Sequence, residues 1–155
     1  MARGHCHASE KRLTTSPYEF PHPPSSAKRI LVIEDDKLMR DGLEIALGNG
    51  GFQVVTASDG TEAVDLARLM HFDLVIMDII MPGMAGIETI MALLAQDSGV
   101  KIIAISAIQA GNQRDFLPLA KSLGASAILR KPFDRETLIT TVCSVIAQQA
   151  WCLVG

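Results

Sequence analysis

The 155 residues have room for one domain of ordinary size, and 48% hydrophobic against 20% charged residues is enough apolar material for a buried core. No apolar run approaches the roughly 18 residues of a membrane span, and the N-terminus lacks a secretory apolar stretch; a cytoplasmic protein with no membrane partner is expected. The net charge is −3 at pH 7, and residues 28–155 hold eleven basic and fifteen acidic side chains, which gives no electrostatic ground for binding nucleic acid.

Residues 1–27 differ from the rest. They hold Pro17, Pro21, Pro23 and Pro24, three of the four histidines and the single tyrosine, Tyr18, without apolar periodicity. This reads as a disordered or loosely attached extension, dispensable for folding. Cys6, Cys143 and Cys152 are widely spaced and form no C-x-x-C pair, as free thiols in a reducing compartment would. His5-Cys6-His7 lacks the fourth ligand of a metal site.

From Lys28 onward, short apolar runs alternate with longer amphipathic ones. In chain order the pattern predicts a strand at Arg29–Ile33, a helix at about Lys37–Leu47, a strand at Gln53–Ala57 and a helix at Thr61–Met70. A strand at Leu74–Met77, a helix at Gly86–Ala95, a strand at Lys101–Ile105 and a helix at Asp115–Leu123 follow. A strand at Ser126–Leu129 and a helix at Asp134–Gln149 complete the set, and residues 151–155 are a short tail. Asp59-Gly60 and Asp134 supply helix starts; Gly48, Gly50-Gly51 and Gly124 supply stops. Five β–α pairs in strict alternation predict an α/β fold: a doubly wound, five-stranded parallel sheet of order 2-1-3-4-5 with five helices, flavodoxin-like in topology.

The polar residues fall at strand ends. Glu34-Asp35-Asp36 follows the first strand, Asp78 the third, Ser106 the fourth and Arg130-Lys131 the fifth. In a parallel sheet these ends share one edge, and the first and third strands meet at the switch point where such sheets bind ligands. Several carboxylates in one corner repel one another unless a cation joins them, and a hard divalent ion such as Mg²⁺ suits an all-oxygen site. A carboxylate nucleophile, a metal and a lysine together suit phosphoryl transfer. Asp36 fits either a helix cap or an outer-shell ligand to a metal-bound water.

The stretches Ile30-Leu31-Val32-Ile33-Glu34-Asp35-Asp36, Leu74 to Met84 (LVIMDIIMPGM) and Lys131-Pro132-Phe133 closely resemble response-regulator receiver domains of the CheY-like kind, over roughly residues 28–150. The resemblance implies that Asp78 is the phosphoacceptor and that Glu34 and Asp35 are the acidic pair. It implies that Mg²⁺ is held by Asp35, Asp78 and the carbonyl of Ile80. Ser106 would be the switch hydroxyl, Lys131 the phosphoryl-binding lysine, and the Lys131–Pro132 bond cis. A histidine kinase or phosphotransfer protein would dock on Leu38, Met39, Pro132 and Phe133, and an unknown downstream protein would read the switched surface. Such a module is a signalling receiver that catalyses its own phosphorylation and dephosphorylation, not an enzyme acting on a metabolite.

Two positions and one segment depart from the family pattern. Ala85 stands where Asp is usual, and Ile128 where an aromatic switch residue is common. The segment from Ser106 to Gly124 is a few residues longer than usual and contains Pro118, which places the start of its helix near Arg114 or Asp115. Ile80 and Ile108, flanking the approach to the phosphoryl group, lead to the expectation of a long-lived phosphorylated state. A stand-alone signalling module is the leading expectation, since the chain ends soon after its last helix; a receiver excised from a longer chain is the alternative. An aspartyl phosphatase on a similar sheet fits less well, because Ile80 stands where its general acid is required. A flavin module lacks its phosphate loop after the first strand.

Overall fold

The five apolar runs pair side by side in one parallel sheet, and the amphipathic stretches between them form the covering helices. A computed structural model describes residues 27–80, 86–107 and 116–151. The elements are β1 (Arg29–Ile33), α1 (Lys37–Asn49), β2 (Gln53–Ala57), α2 (Gly60–Leu69), β3 (Leu74–Asp78), α3 (Gly86–Gln96), β4 (Lys101–Ala107), α4 (Leu117–Leu123), β5 (Ala127–Lys131) and α5 (Arg135–Trp151). Strand order is β2-β1-β3-β4-β5 and every pairing is parallel, the doubly wound arrangement expected from the alternation. The expectations for the N-terminal extension up to residue 26, Ala85, Ile108 and residues 152–155 of the tail fall outside the described residues, while Trp151, expected in the tail, is the last residue of α5.

The two-residue period of a strand divides the core between the sheet's faces. Ile30, Val32, Leu74, Ile76, Ile103, Ile105 and Leu129 pack with Leu43 and Leu47 of α1 and with Leu138, Val142 and Ile146 of α5. Their neighbours Leu31, Ile33, Val75, Met77, Ile102 and Ala104 pack on the other face with Ala63, Ile90, Leu93, Leu117 and Ala120 of α2, α3 and α4. Both faces are covered, which is why the strands read as continuous Ile/Val/Leu runs. Ile128 joins the α2–α4 side of the core, partly buried.

Several boundaries differ from the sequence reading. β3 runs on to Asp78, β4 to Ala107 and β5 to Lys131, so Asp78, Ser106, Arg130 and Lys131 are strand residues and do not follow the strands. The ladder continues through Asp78↔Ile105, Ser106↔Arg130 and Ala107↔Lys131 because its hydrogen bonds are between main chains, indifferent to side-chain polarity. α1 passes through Gly48 and ends at Asn49, where the Gly50 N–H donates to Ala46 and Leu47 carbonyls at 3.2 and 3.0 Å. α4 begins at Leu117, with Pro118 in the first turn where no N–H is needed. Gly124, at φ +117°, closes α4 in the left-handed conformation that favours glycine. Asp59 and Asp134 start α2 and α5 as expected: their side chains accept from the Glu62 and Thr137 N–H groups at 2.8 and 2.7 Å.

Candidate functional site

The carboxyl ends of β1, β3 and β5 bring Glu34, Asp35, Asp78 and Lys131 together. Glu34 is 1% exposed and Asp78 6%, both too deep to stay charged without partners. Lys131 is that partner: its Nζ donates to Asp78 Oδ2 at 2.7 Å and to Glu34 Oε2 at 3.1 Å. β5 is separated from β3 by β4, so only a long flexible stem starting at the strand end makes this reach. The second oxygen of each acid is held by main chain. Asp78 Oδ1 accepts from the Ile80 N–H at 2.8 Å, and Glu34 Oε1 from the Asp36 N–H at 3.1 Å.

Asp35, by contrast, points to solvent, and its carboxylate accepts no hydrogen bond among the described residues. One oxygen each of Glu34, Asp35 and Asp78 nevertheless lies within 4.8 Å of the others. Asp36 Oδ1 accepts from the Met39 N–H at 2.8 Å as the cap of α1, and its carboxylate is not one of that trio.

The electrostatics follow from burial and pairing. Burial raises the Glu34 carboxyl above its ordinary 4.5, and the Asp78 charge adds to this; the Asp36 N–H and the Lys131 ammonium offset only part. Burial alone would lower Lys131, but hydrogen bonds to Asp78 and Glu34 outweigh it and raise the ammonium above 10.5. Three carboxylates therefore face one ammonium, and the excess negative charge opens to solvent through Asp35. Hard oxygen donors, a charge deficit and an open side fit a divalent cation such as Mg²⁺.

Ser106 is 3% exposed, and its Oγ donates to the Ala107 carbonyl at 3.3 Å, a long bond easily exchanged for another. The Lys131–Pro132 bond is cis, as the resemblance implied. Ile80 is half-buried against the α2–α4 side of the core. Leu38 is 84% exposed and Pro132 exposed, while Met39 and Phe133 are half-buried against the α1–α5 side. At the start of α3, Gly86 abuts the Ile79 main chain so closely that a Cβ would lie 2.4 Å from the Ile79 Cα. Sequence reasoning passed over Arg40, whose Nη1 donates to the Glu34 and Asp35 carbonyls at 2.7 and 3.3 Å. An arginine one helical turn after an acidic pair was the available signal.

Residues 30–143 match the family model described as the response regulator receiver domain. The transcriptional regulatory protein PdtaR of Mycobacterium tuberculosis is 39% identical over 116 residues, 74% of this chain and 55% of that protein, so the chain spans about half the length of this relative. The solved structure of the chemotaxis response regulator CheY4 of Vibrio cholerae is 30% identical with a TM-score of 0.69, over 77% of this chain and 99% of the other. That of the response regulator TrrA of Thermotoga maritima, in complex with Mg²⁺–BeF, is 29% identical with a TM-score of 0.67, over 76% of this chain and 98% of the other. The chain belongs to the response regulator receiver domain family, the phospho-accepting modules of two-component signalling.

Proposed function

We propose that Asp78 accepts the phosphoryl group, from a histidine kinase or phosphotransfer protein, in a receiver spanning residues 28–150. The observation that carries this reading is the Lys131 ammonium bridging Asp78 and Glu34 at 2.7 and 3.1 Å, with the Asp35 carboxylate in reach of both acids. A carboxylate oxygen of Asp78 attacks phosphorus. The bond from phosphorus to the donor's imidazole nitrogen breaks, its electron pair stays on that nitrogen, and an aspartyl phosphate remains. The Ile80 N–H fixes the rotation of the attacking carboxylate beforehand.

Lys131 already lies on Asp78 and has only to shift its donors to the incoming phosphoryl oxygens. Asp35, Asp78 and the Ile80 carbonyl would hold Mg²⁺, with Glu34 completing the acidic pair; the ion would neutralise charge on the phosphoryl oxygens. The Ser106 hydroxyl, leaving the Ala107 carbonyl, donates to the phosphoryl group and couples its arrival to the α4 side of the sheet. Leu38, Met39, Pro132 and Phe133 form the apolar contact for the donor, and an unidentified protein reads the altered surface. No described helix is long and apolar enough to cross a membrane, which supports a cytoplasmic module. Acetyl phosphate with Mg²⁺ should add one hydroxylamine-labile phosphoryl group by mass spectrometry. The same label on Asp78→Asn would refute the assignment.

A further inference from the structure

We infer that Arg40 is a positioning residue for the metal-binding carboxylates: it clamps the main chain of the β1–α1 turn and so fixes where Asp35 stands. This rests on the Mg²⁺-assisted reading above.

Asp35 is the one member of the acidic trio whose side chain is tied to none of the described residues. Its carboxylate can be no better placed than its main chain. Inside the turn, Glu34 Oε1 holds the Asp36 N–H at 3.1 Å, and the Glu34 N–H donates to the Ala57 carbonyl at 3.1 Å. On the outside, the Glu34 and Asp35 carbonyls both accept from Arg40 Nη1, at 2.7 and 3.3 Å. Among the described residues Arg40 is the only side chain that donates to either carbonyl.

The placement of Arg40 makes the contact meaningful. Its N–H donates to the Asp36 carbonyl at 2.9 Å, the opening bond of α1, so it belongs to the helix's first turn. Helical side chains lean toward the N-terminus, which carries the guanidinium back over the turn before the helix. A cation there opposes the helix dipole. The charge-assisted bonds to the two carbonyls offset that disadvantage.

The clamp and the bare charge of Arg40 predict opposite signs. A positive charge near a divalent cation repels it, so removing charge alone would tighten Mg²⁺ binding. Loosening the turn lets Asp35 wander and weakens binding. Groups that orient metal ligands without touching the metal typically change affinity by about 10-fold or more.

The test is calorimetric Mg²⁺ titration of wild type, Arg40→Lys and Arg40→Met, paired with amide hydrogen exchange at Glu34 and Asp36 in the metal-free proteins. The expected result is a Kd weakened on the order of 10-fold in Arg40→Met. Arg40→Lys should fall between, since lysine keeps the charge but not the planar fork. Exchange at the two amides should quicken in the same order. Tighter binding in Arg40→Met would mean that charge prevails. An unchanged Kd in a folded variant would leave Arg40 a purely structural helix residue. Either overturns the inference. Should wild type bind no Mg²⁺, the reading of the site fails, and exchange that is unchanged by the substitutions then overturns the clamp on its own.

Discussion

The two edges of the sheet carry the same kinds of charged residue and make opposite use of them. At the carboxyl edge, Lys131 meets Asp78 and Glu34 at 2.7 and 3.1 Å, with the two acids 8% and 1% exposed at their side chains. At the amino edge, Lys28 and His71 each approach Asp73 at 3.8 Å, and His71 approaches Asp97 at 3.7 Å, with the His71 side chain 72% exposed. The amino edge also has a concavity of about 300 Å³, lined by Met70, Phe72, Val75 and Leu93 among others. Among the described residues no buried charges converge there. Neither volume nor charge count makes the site; desolvated groups held at hydrogen-bond distance by several strands do.

The largest effect that tests this contrast is Lys131→Met in the metal-free protein. It leaves two buried carboxylates without their cation, a change worth roughly 3–5 kcal/mol in the deepest sites and toward the lower end here, where the lysine is partly solvated. Denaturant unfolding at neutral pH checks it. A loss below about 1 kcal/mol would put this edge in the same class as the other. Gly86→Ala comes next. Its Cβ would lie 2.4 Å from the Ile79 Cα, a main-chain contact that cannot give way cheaply, and a loss of roughly 1–3 kcal/mol is expected. Wild-type stability would mean that the two segments separate freely.

Glu34→Gln should act in the opposite direction. Burial raises the Glu34 carboxyl above its ordinary 4.5, so the native state holds a proton that the unfolded chain releases. Stability from this group is therefore lost as pH rises through the window above 4.5, and its ionised form at neutral pH is a net burden on the fold. The metal-free variant should melt higher than wild type at neutral pH, the gap closing toward pH 4.5. A gap that widens on acidification would mean that the ionised Glu34 stabilises the fold. Because the variant also gives up an acid of the trio, its Mg²⁺ affinity should fall while its stability rises, a trade of function against stability.

Much of this was legible because buried parallel strands advertise themselves. A run such as Leu74-Val75-Ile76-Met77 broken by Asp78 marks both a strand and its end at the active edge, and strand order then determines which ends meet. The strand limits were less legible: polarity at Asp78, Ser106 and Lys131 suggested termination, while the main-chain ladder continued through them. Asp36 could not be assigned as a cap from sequence because a cap and an outer-shell ligand use the same residue type; the 2.8 Å bond from the Met39 N–H shows the cap. Arg40 was hidden for another reason. It binds carbonyls, which every residue has, so no residue type marks its partner.

The smallest expected effect belongs to the amino edge and completes the comparison. His71→Gln removes both histidine contacts at once, and each is a loose pair of 3.7–3.8 Å that carries charge only when the ring is protonated. Exposed pairs of this kind contribute from nothing to about 1 kcal/mol, and water takes up what the substitution frees. The Arg29 Nη1 bond to the His71 carbonyl at 3.4 Å survives, since it involves only main chain at that position. Asp73 also keeps its tie to the sheet, the 2.8 Å bond from the Arg29 N–H, because that needs no partner from residue 71. The variant should unfold within about 0.5 kcal/mol of wild type near neutral pH. Any residual difference should disappear as salt shortens the screening length. A loss above about 1 kcal/mol that persists in high salt would show that the amino edge is coupled as tightly as the site.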